Sequence, residues 1–141
     1  MRYISNSVED TLTFAADFAK KLKAGDVIAF KGGMGAGKTA FMRGLAAGLD
    51  LQGEVCSPTF AIVHQYLGAV PVYHFDMYRV TKPGDIESTG FFDFLDTPCI
   101  ITVEWSENIT NALPANTTFV EIKILGETTR EITIYGNALF E

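Results

Sequence analysis

The octet Gly32-Gly33-Met34-Gly35-Ala36-Gly37-Lys38-Thr39 spells G-x-x-x-x-G-K-T without a mismatch. Glycines at this spacing let backbone N–H groups converge on phosphate oxygens, while the lysine reaches the outer phosphates and the threonine hydroxyl ligates Mg²⁺. The motif predicts a nucleoside triphosphate held by Gly33, Met34, Gly35, Ala36, Gly37, Lys38, Thr39 and Ala40. Its flanks agree with that reading. Val27-Ile28-Ala29-Phe30 is a short apolar run of strand type, and residues 40–47 read as a helix with Phe41, Leu45 and Leu49 on one face. Strand, glycine loop and helix in that order aim a helix N-terminus, with its partial positive charge, at an anion.

Turnover needs more than phosphate binding: it needs a carboxylate near Mg²⁺ or the attacking water, at a strand end beside the loop. Ile100-Ile101-Thr102-Val103-Glu104 is an apolar strand ending in a carboxylate, and Val72-Tyr73-His74-Phe75-Asp76 ends the same way. Glu104 and Asp76 therefore join Thr39 as metal candidates. Glu104 would hold Mg²⁺ through water or polarise the attacking water, and both roles stay open. Arg79 would stabilise transferred charge, with Lys38 and Glu104 as its catalytic companions, or would sit in a surface ion pair. His74 shares a strand face with Asp76, either as part of the site or as a hydrogen-bonded core histidine. Trp105, the only tryptophan, would stack on the base, dock a partner or pack at the rim. His64 alternates with apolar neighbours and carries no functional expectation.

These side chains need a scaffold to bring them together. Ser7 reads as a helix cap, with Glu9 and Asp10 in the favoured first turn, Leu12, Ala15, Ala19 and Leu22 at helical spacing, and Gly25 as the stop. Residues 60–66 and 70–75 read as neighbouring strands across a turn at Gly68. A helical stretch is expected over 83–94, weakened at Gly90, before a buried strand at 99–103. Strands at 118–125 and 130–135 flank Gly126-Glu127-Thr128-Thr129 as a hairpin. The sum predicts an α/β fold: one P-loop domain over 1–141, with a central mixed sheet, flanking helices and a C-terminal antiparallel hairpin.

Composition narrows the function classes. At 141 residues, 48% apolar and 20% charged, the chain has material for one core but not for a nucleotide domain plus a substrate lobe. The first residues lack the basic-then-apolar order of a secretory leader, and no apolar run is long enough to span a bilayer, so a cytoplasmic setting is expected. Cys56 and Cys99 then read as reduced core residues. The net charge of −6, with arginines only at positions 2, 43, 79 and 130, argues against an autonomous grip on nucleic acid. Lys20-Lys21-Lys23 is the one basic cluster, and it reads as favourable charge at a helix end. In an RNA pathway, another protein would hold the RNA.

Beyond the octet, several blocks occur in order: Arg43-Gly44-Leu45, Ser57-Pro58-Thr59-Phe60, His74-Phe75-Asp76-Met77-Tyr78-Arg79 and Glu104-Trp105. Together they resemble the TsaE family, the small bacterial P-loop ATPases of tRNA threonylcarbamoyladenosine synthesis. The resemblance implies ATP on Lys38 and the loop, and Mg²⁺ among Thr39, Asp76 and Glu104. It also implies Trp105 near the nucleotide, Ser57 to Phe60 as a nucleotide-responsive segment, and Thr11 near the base or ribose. The implied partners are a threonylcarbamoyl transferase and its inactive paralogue. Beside them the ATPase supports repeated rounds of modification at adenosine 37, and tRNA is met only through the complex. One departure stands out, because similar members usually carry aspartate where this chain has Gly33. Two rival readings fit the octet: a small-molecule kinase, which would want more arginines than Arg43 and Arg79, and a non-catalytic nucleotide-binding module.

Overall fold

Strand alternation sorts the apolar residues onto the two faces of one sheet. The computed structural model describes residues 1–33, 36–52 and 63–137. In chain order these form β1 (Arg2–Ser5), α1 (Val8–Ala19), β2 (Val27–Lys31), α2 (Lys38–Gly48), β3 (Val63–Tyr66) and β4 (Val72–Asp76). Then come α3 (Pro83–Ser88), α4 (Phe91–Leu95), β5 (Ile100–Glu104), a 3₁₀ segment Ser106–Ala112, β6 (Thr118–Ile124) and β7 (Arg130–Tyr135). The seven strands run β1-β7-β6-β2-β5-β4-β3. β2 lies at the centre, parallel to both β5 and β6, and β4 is parallel to β5. The flanking pairs β1–β7, β6–β7 and β3–β4 are antiparallel. The expected α/β fold with a mixed sheet and a C-terminal hairpin is the one observed.

One face of the sheet carries Ile28, Phe30, Val120, Ile122, Ile132 and Ile134 against Phe18 of α1 and Phe41 and Leu45 of α2. The opposite face buries Val27, Phe75, Ile101 and Val103 under Phe91 of α4 and Ile109 of the 3₁₀ segment. Fully burying side chains of this size contributes about 1.5–3 kcal/mol each, so these two layers set the strand register. Between α1 and α2 the approach is unusually close. A Cβ at Gly44 would lie 2.5 Å from Ala15 Cβ and 2.6 Å from the Leu12 carbonyl oxygen, and one at Gly48 would lie 2.4 Å from the Ala16 carbonyl oxygen. Residues four apart lie on one helix face, so the two glycines form the flat strip on which α1 rests.

Several expectations need correction. Residues 83–94 form two short helices, because Gly90 adopts a left-handed φ of 79° between them. β1 and the 3₁₀ segment were not expected. Helix α1 ends at Ala19, so Lys20 is its C-cap, Lys21 and Lys23 lie beyond it, and no basic residue occupies the last turn. Its buried face is Thr11, Ala15, Phe18 and Ala19, with Leu12 only half-buried. Within the expected strand 60–66, the described part is Val63–Tyr66. Met34, Gly35, Cys56 and Ser57 to Phe60 lie outside the described residues. Cys99 is buried and unbridged, and burial pushes its thiol pKa up. Among the described residues no helix is long and apolar enough to cross a membrane.

Candidate nucleotide-binding site

Parallel pairing of β4, β5 and β2 brings their carboxyl ends to one edge of the sheet, the edge where ligands bind in open α/β folds. Gly32 and Gly33 follow β2 at that edge, and Gly37 and Lys38 open α2. Gly37 is the helix N-cap, with φ 108° and no side-chain cap, which leaves the first N–H groups of α2 without intrahelical partners. Lys38 opens the helix, and its ammonium donates to the Gly32 carbonyl at 3.0 Å, folding the side chain back over the loop. Thr39 is exposed beside it, and Gly33 is exposed with nothing within 4 Å of where a Cβ would stand. Ala36 is buried beneath the loop.

The strand-end acids arrive by register. Val72 pairs with Ile100, His74 with Thr102 and Asp76 with Glu104. Val72 and Ile100 belong to the core on the α1/α2 side, so alternation turns His74, Asp76, Thr102 and Glu104 toward that same side. Asp76 Oδ1 accepts the Tyr78 N–H at 2.9 Å, a local turn that fixes the carboxylate's orientation. Glu104 Oε2 accepts from His74 Nε2 at 3.0 Å. Burial alone would raise the Glu104 pKa, but the His74 hydrogen bond and the positive potentials of His74 and Lys38 outweigh it and hold the carboxyl below its ordinary range. Both carboxylates are held in fixed orientations at the ends of their strands. No group of three or more His, Cys, Asp or Glu side chains among the described residues could hold a metal.

His74 is thus a hydrogen-bonded core histidine and also a partner of Glu104, two readings that the sequence kept apart. Trp105, next in the chain, has φ 59°, uncommon for a residue of its size. Ser106, whose hydroxyl donates to the Phe30 carbonyl at 3.2 Å, and Asn108, which donates to the Met77 carbonyl at 2.9 Å, tie down the chain that follows. The indole packs against Tyr78 with ring centroids 4.9 Å apart, and Lys38 Nζ lies 6.0 Å from its centroid. Trp105 therefore stands at the Lys38 side of the loop. Arg79 is exposed, and among the described residues it makes no hydrogen bond or ion pair.

A cavity of about 410 Å³ opens on the other side of the α2 N-terminus, lined by Thr11, Gly37, Ala40, Thr128 and Arg130 among others. Its size falls within the range of small-molecule sites, about 300–1,000 Å³. Thr11 is buried, its hydroxyl 2.7 Å from that of Ser5, so β1 and α1 fix it jointly. Arg130 donates to the carbonyls of Gly126 at 2.9 Å and Thr129 at 3.1 Å, which stiffens the hairpin turn forming the far wall. Sequence reasoning missed this wall, since turn residues of a distant hairpin give no local sign of facing the loop. It also missed Ser106 and Asn108, which only the unusual backbone at Trp105 makes intelligible.

Comparison with known proteins agrees with this geometry. The model of the family described as threonylcarbamoyl adenosine biosynthesis protein TsaE matches residues 5–132. The tRNA threonylcarbamoyladenosine biosynthesis protein TsaE of Treponema pallidum is 34% identical over 134 residues, covering 95% of this chain and 99% of its own. The Bacillus subtilis protein of the same name is 38% identical over 126 residues, covering 89% and 78%. The crystal structure of Bacillus subtilis YdiB superposes with a TM-score of 0.81 at 30% identity, covering 99% of this chain and 88% of that one. With the glycine loop, the paired strand-end acids and the sheet order in common cause, this chain belongs to the TsaE family.

Proposed function

We propose that the chain is a Mg²⁺-dependent ATPase that supports formation of threonylcarbamoyladenosine on tRNA, acting in the cytoplasm beside a threonylcarbamoyl transferase and its inactive paralogue. The observation that carries the reading is the meeting of Lys38, at the open N-terminus of α2, with Asp76 and Glu104 at the adjoining ends of β4 and β5. The N–H groups of the loop and of α2 receive the β- and γ-phosphates, and Lys38 exchanges its loop carbonyl for phosphate oxygen. Thr11, Gly37 and Ala40 border the cavity that takes the base and ribose. Trp105 closes the phosphate end beside Lys38.

Thr39, Asp76 and Glu104 are the residues that would hold Mg²⁺, which supplies charge neutralisation across the β- and γ-phosphates when bound. Glu104, kept ionised by its surroundings, would orient the attacking water and take its proton as the water oxygen bonds to the γ-phosphorus and the bond from that phosphorus to the β–γ bridging oxygen breaks, ADP leaving. Arg79, exposed at the same edge, is available to the transferred charge once a partner surface covers it. Family membership supports the pathway, and the net charge of −6 supports a role in which other proteins hold the tRNA.

The test is multiple-turnover threonylcarbamoylation of tRNA by the transferase pair, with ATP, in the presence and absence of this protein. Repeated rounds only in its presence, accompanied by phosphate release, are the expected result. ATP binding without hydrolysis beside the partners would instead select a non-catalytic nucleotide-binding module, the reading that Gly33 in the loop favours.

A further inference from the structure

Behind Glu104 lie two polar side chains that the core has no packing reason to hold. His74 is 2% exposed and Thr102 is 0% exposed, and they face each other across β4 and β5. His74 Nδ1 is 2.6 Å from Thr102 Oγ1, and Nε2 is 3.0 Å from Glu104 Oε2. Burying polar groups is costly unless each is partnered, and a β-branched apolar pair would fill the same space without that cost. Here every ring nitrogen is used. A carboxylate can only accept, so Nε2 carries the proton that bridges to Glu104. The Thr102 hydroxyl both donates and accepts, so it satisfies Nδ1 whether or not that nitrogen is protonated. The rigid strand pair thereby transmits its geometry through hydroxyl and ring to one carboxylate oxygen, while Glu104 Oε1 makes no hydrogen bond among the described residues.

Resting on the ATPase reading, we propose that His74, braced by Thr102, is a positioning residue: it clamps Glu104 Oε2 and leaves Oε1 as the oxygen that serves the reaction. Thr102 and His74 stand behind Glu104, which alone of the three reaches the reacting groups. The effect of the pair is on the aim of Glu104, so it falls on kcat rather than on nucleotide affinity. Side-chain reach separates this role from a merely structural one. The amide of glutamine at position 74 extends to the place of Nε2 and can still donate to Glu104, whereas asparagine reaches only the place of Nδ1.

Two measurements on the full chain test the proposal. The chain has only two histidines, so ¹⁵N-histidine NMR, assigned with a His64→Gln variant, reads the His74 ring directly. A proton on Nε2 is expected, and a ring protonated on Nδ1 alone overturns the proposal. Second, ATP turnover is measured beside the transferase pair, with nucleotide Kd measured separately. His74→Asn and Thr102→Val should lower kcat by about 10–100-fold, the cost of misplacing a catalytic group by a fraction of an ångström to an ångström, with Kd within about twofold of wild type. His74→Gln and Thr102→Ser should recover most of that loss. Equal kcat losses in His74→Gln and His74→Asn at matched thermal stability, or a loss confined to Kd, would overturn the proposal. If either position-74 variant does not fold, the Thr102→Ser and Thr102→Val pair decides the same question. A wild type that never turns over ATP beside its partners removes the ATPase reading and the catalytic half of this proposal with it, while the NMR result still decides the clamp itself.

Discussion

Replacing Gly44 by alanine adds one methyl group where α1 and α2 meet. That methyl would stand 2.5 Å from Ala15 Cβ and 2.6 Å from the Leu12 carbonyl oxygen, short of ordinary carbon contact by about 1 Å. The Leu12 oxygen is backbone and cannot rotate aside, so α1 as a whole must lift. Overpacking of this kind costs about 1–3 kcal/mol, and the clash with backbone argues for the upper part of that range. Alanine in place of a mid-helix glycine returns about 1 kcal/mol of helix propensity. The net is a destabilisation of about 1–2 kcal/mol, or about 3–8 °C in Tm for a chain of this length. The displacement also reaches the cavity, because Thr11 rides on α1 and Gly37 and Ala40 sit at the start of α2. Thermal melts of Gly44→Ala with and without ATP should therefore show a lower Tm and a smaller nucleotide-induced rise. Gly84→Ala, at a position of α3 where a Cβ meets nothing and which lies outside the loop, serves as the control. A Gly44→Ala protein as stable as wild type or more so would show that the helices have slack and that glycine does not set their separation.

Other perturbations follow from the same geometry. Lys38→Ala removes the ammonium at the α2 N-terminus and should weaken ATP binding by about 10–100-fold, the worth of charge-assisted hydrogen bonds at about 1.5–3 kcal/mol; unchanged affinity in a calorimetric titration would break the phosphate assignment. Gly33→Asp should fold with stability within about 0.5 kcal/mol of wild type, as expected of an exposed position with open space around it, so any change it makes in turnover would belong to the loop's chemistry. The Glu104 carboxyl is held below its ordinary value of 4.5. Its contribution to stability is therefore complete above that pH and is lost as pH falls through the lowered value. Glu104→Gln should accordingly flatten the acid limb of a stability–pH curve while leaving the neutral region's slope alone. An acid limb identical to wild type would mean that the carboxylate gains nothing from His74 and Lys38.

What is legible in the sequence is what is local. The glycine loop, its preceding strand and its following helix are contiguous, and apolar runs ending in Asp76 and Glu104 declare both their strands and their acids. Even the shared face of His74 and Asp76 followed from a period of two. Three features escaped because their causes lie in distant pairings. β1 is four residues long, too short for a period, and exists because Ser5 and its neighbours find β7. The cavity wall at Thr128 and Arg130 depends on where the hairpin docks. The bond between His74 and Glu104 needs the parallel register of β4 on β5, which neither segment encodes alone. Gly44 and Gly48 were visible as residues, yet their spacing becomes meaningful only when α1 is known to cross there. Gly90 shows the opposite limit: a glycine treated as a weak point inside a helix is the residue that divides it.

The pairing of β1 with β7 has a consequence for how the chain comes to exist. Met1 and Ile134 exchange backbone hydrogen bonds at 2.8 and 3.0 Å, so β1 must wait for β7, made more than a hundred residues later, before it joins the sheet. Contacts of such long sequence separation slow folding, because the loop must close before the contact repays it. A nascent chain therefore carries its glycine loop, Lys38 and Thr39 well before it has the hairpin that walls the cavity or the strand that holds Thr11 through Ser5. The cavity is complete only once the hairpin and the first strand are in the sheet, so a ligand filling it would favour the closed sheet over one whose ends are still apart.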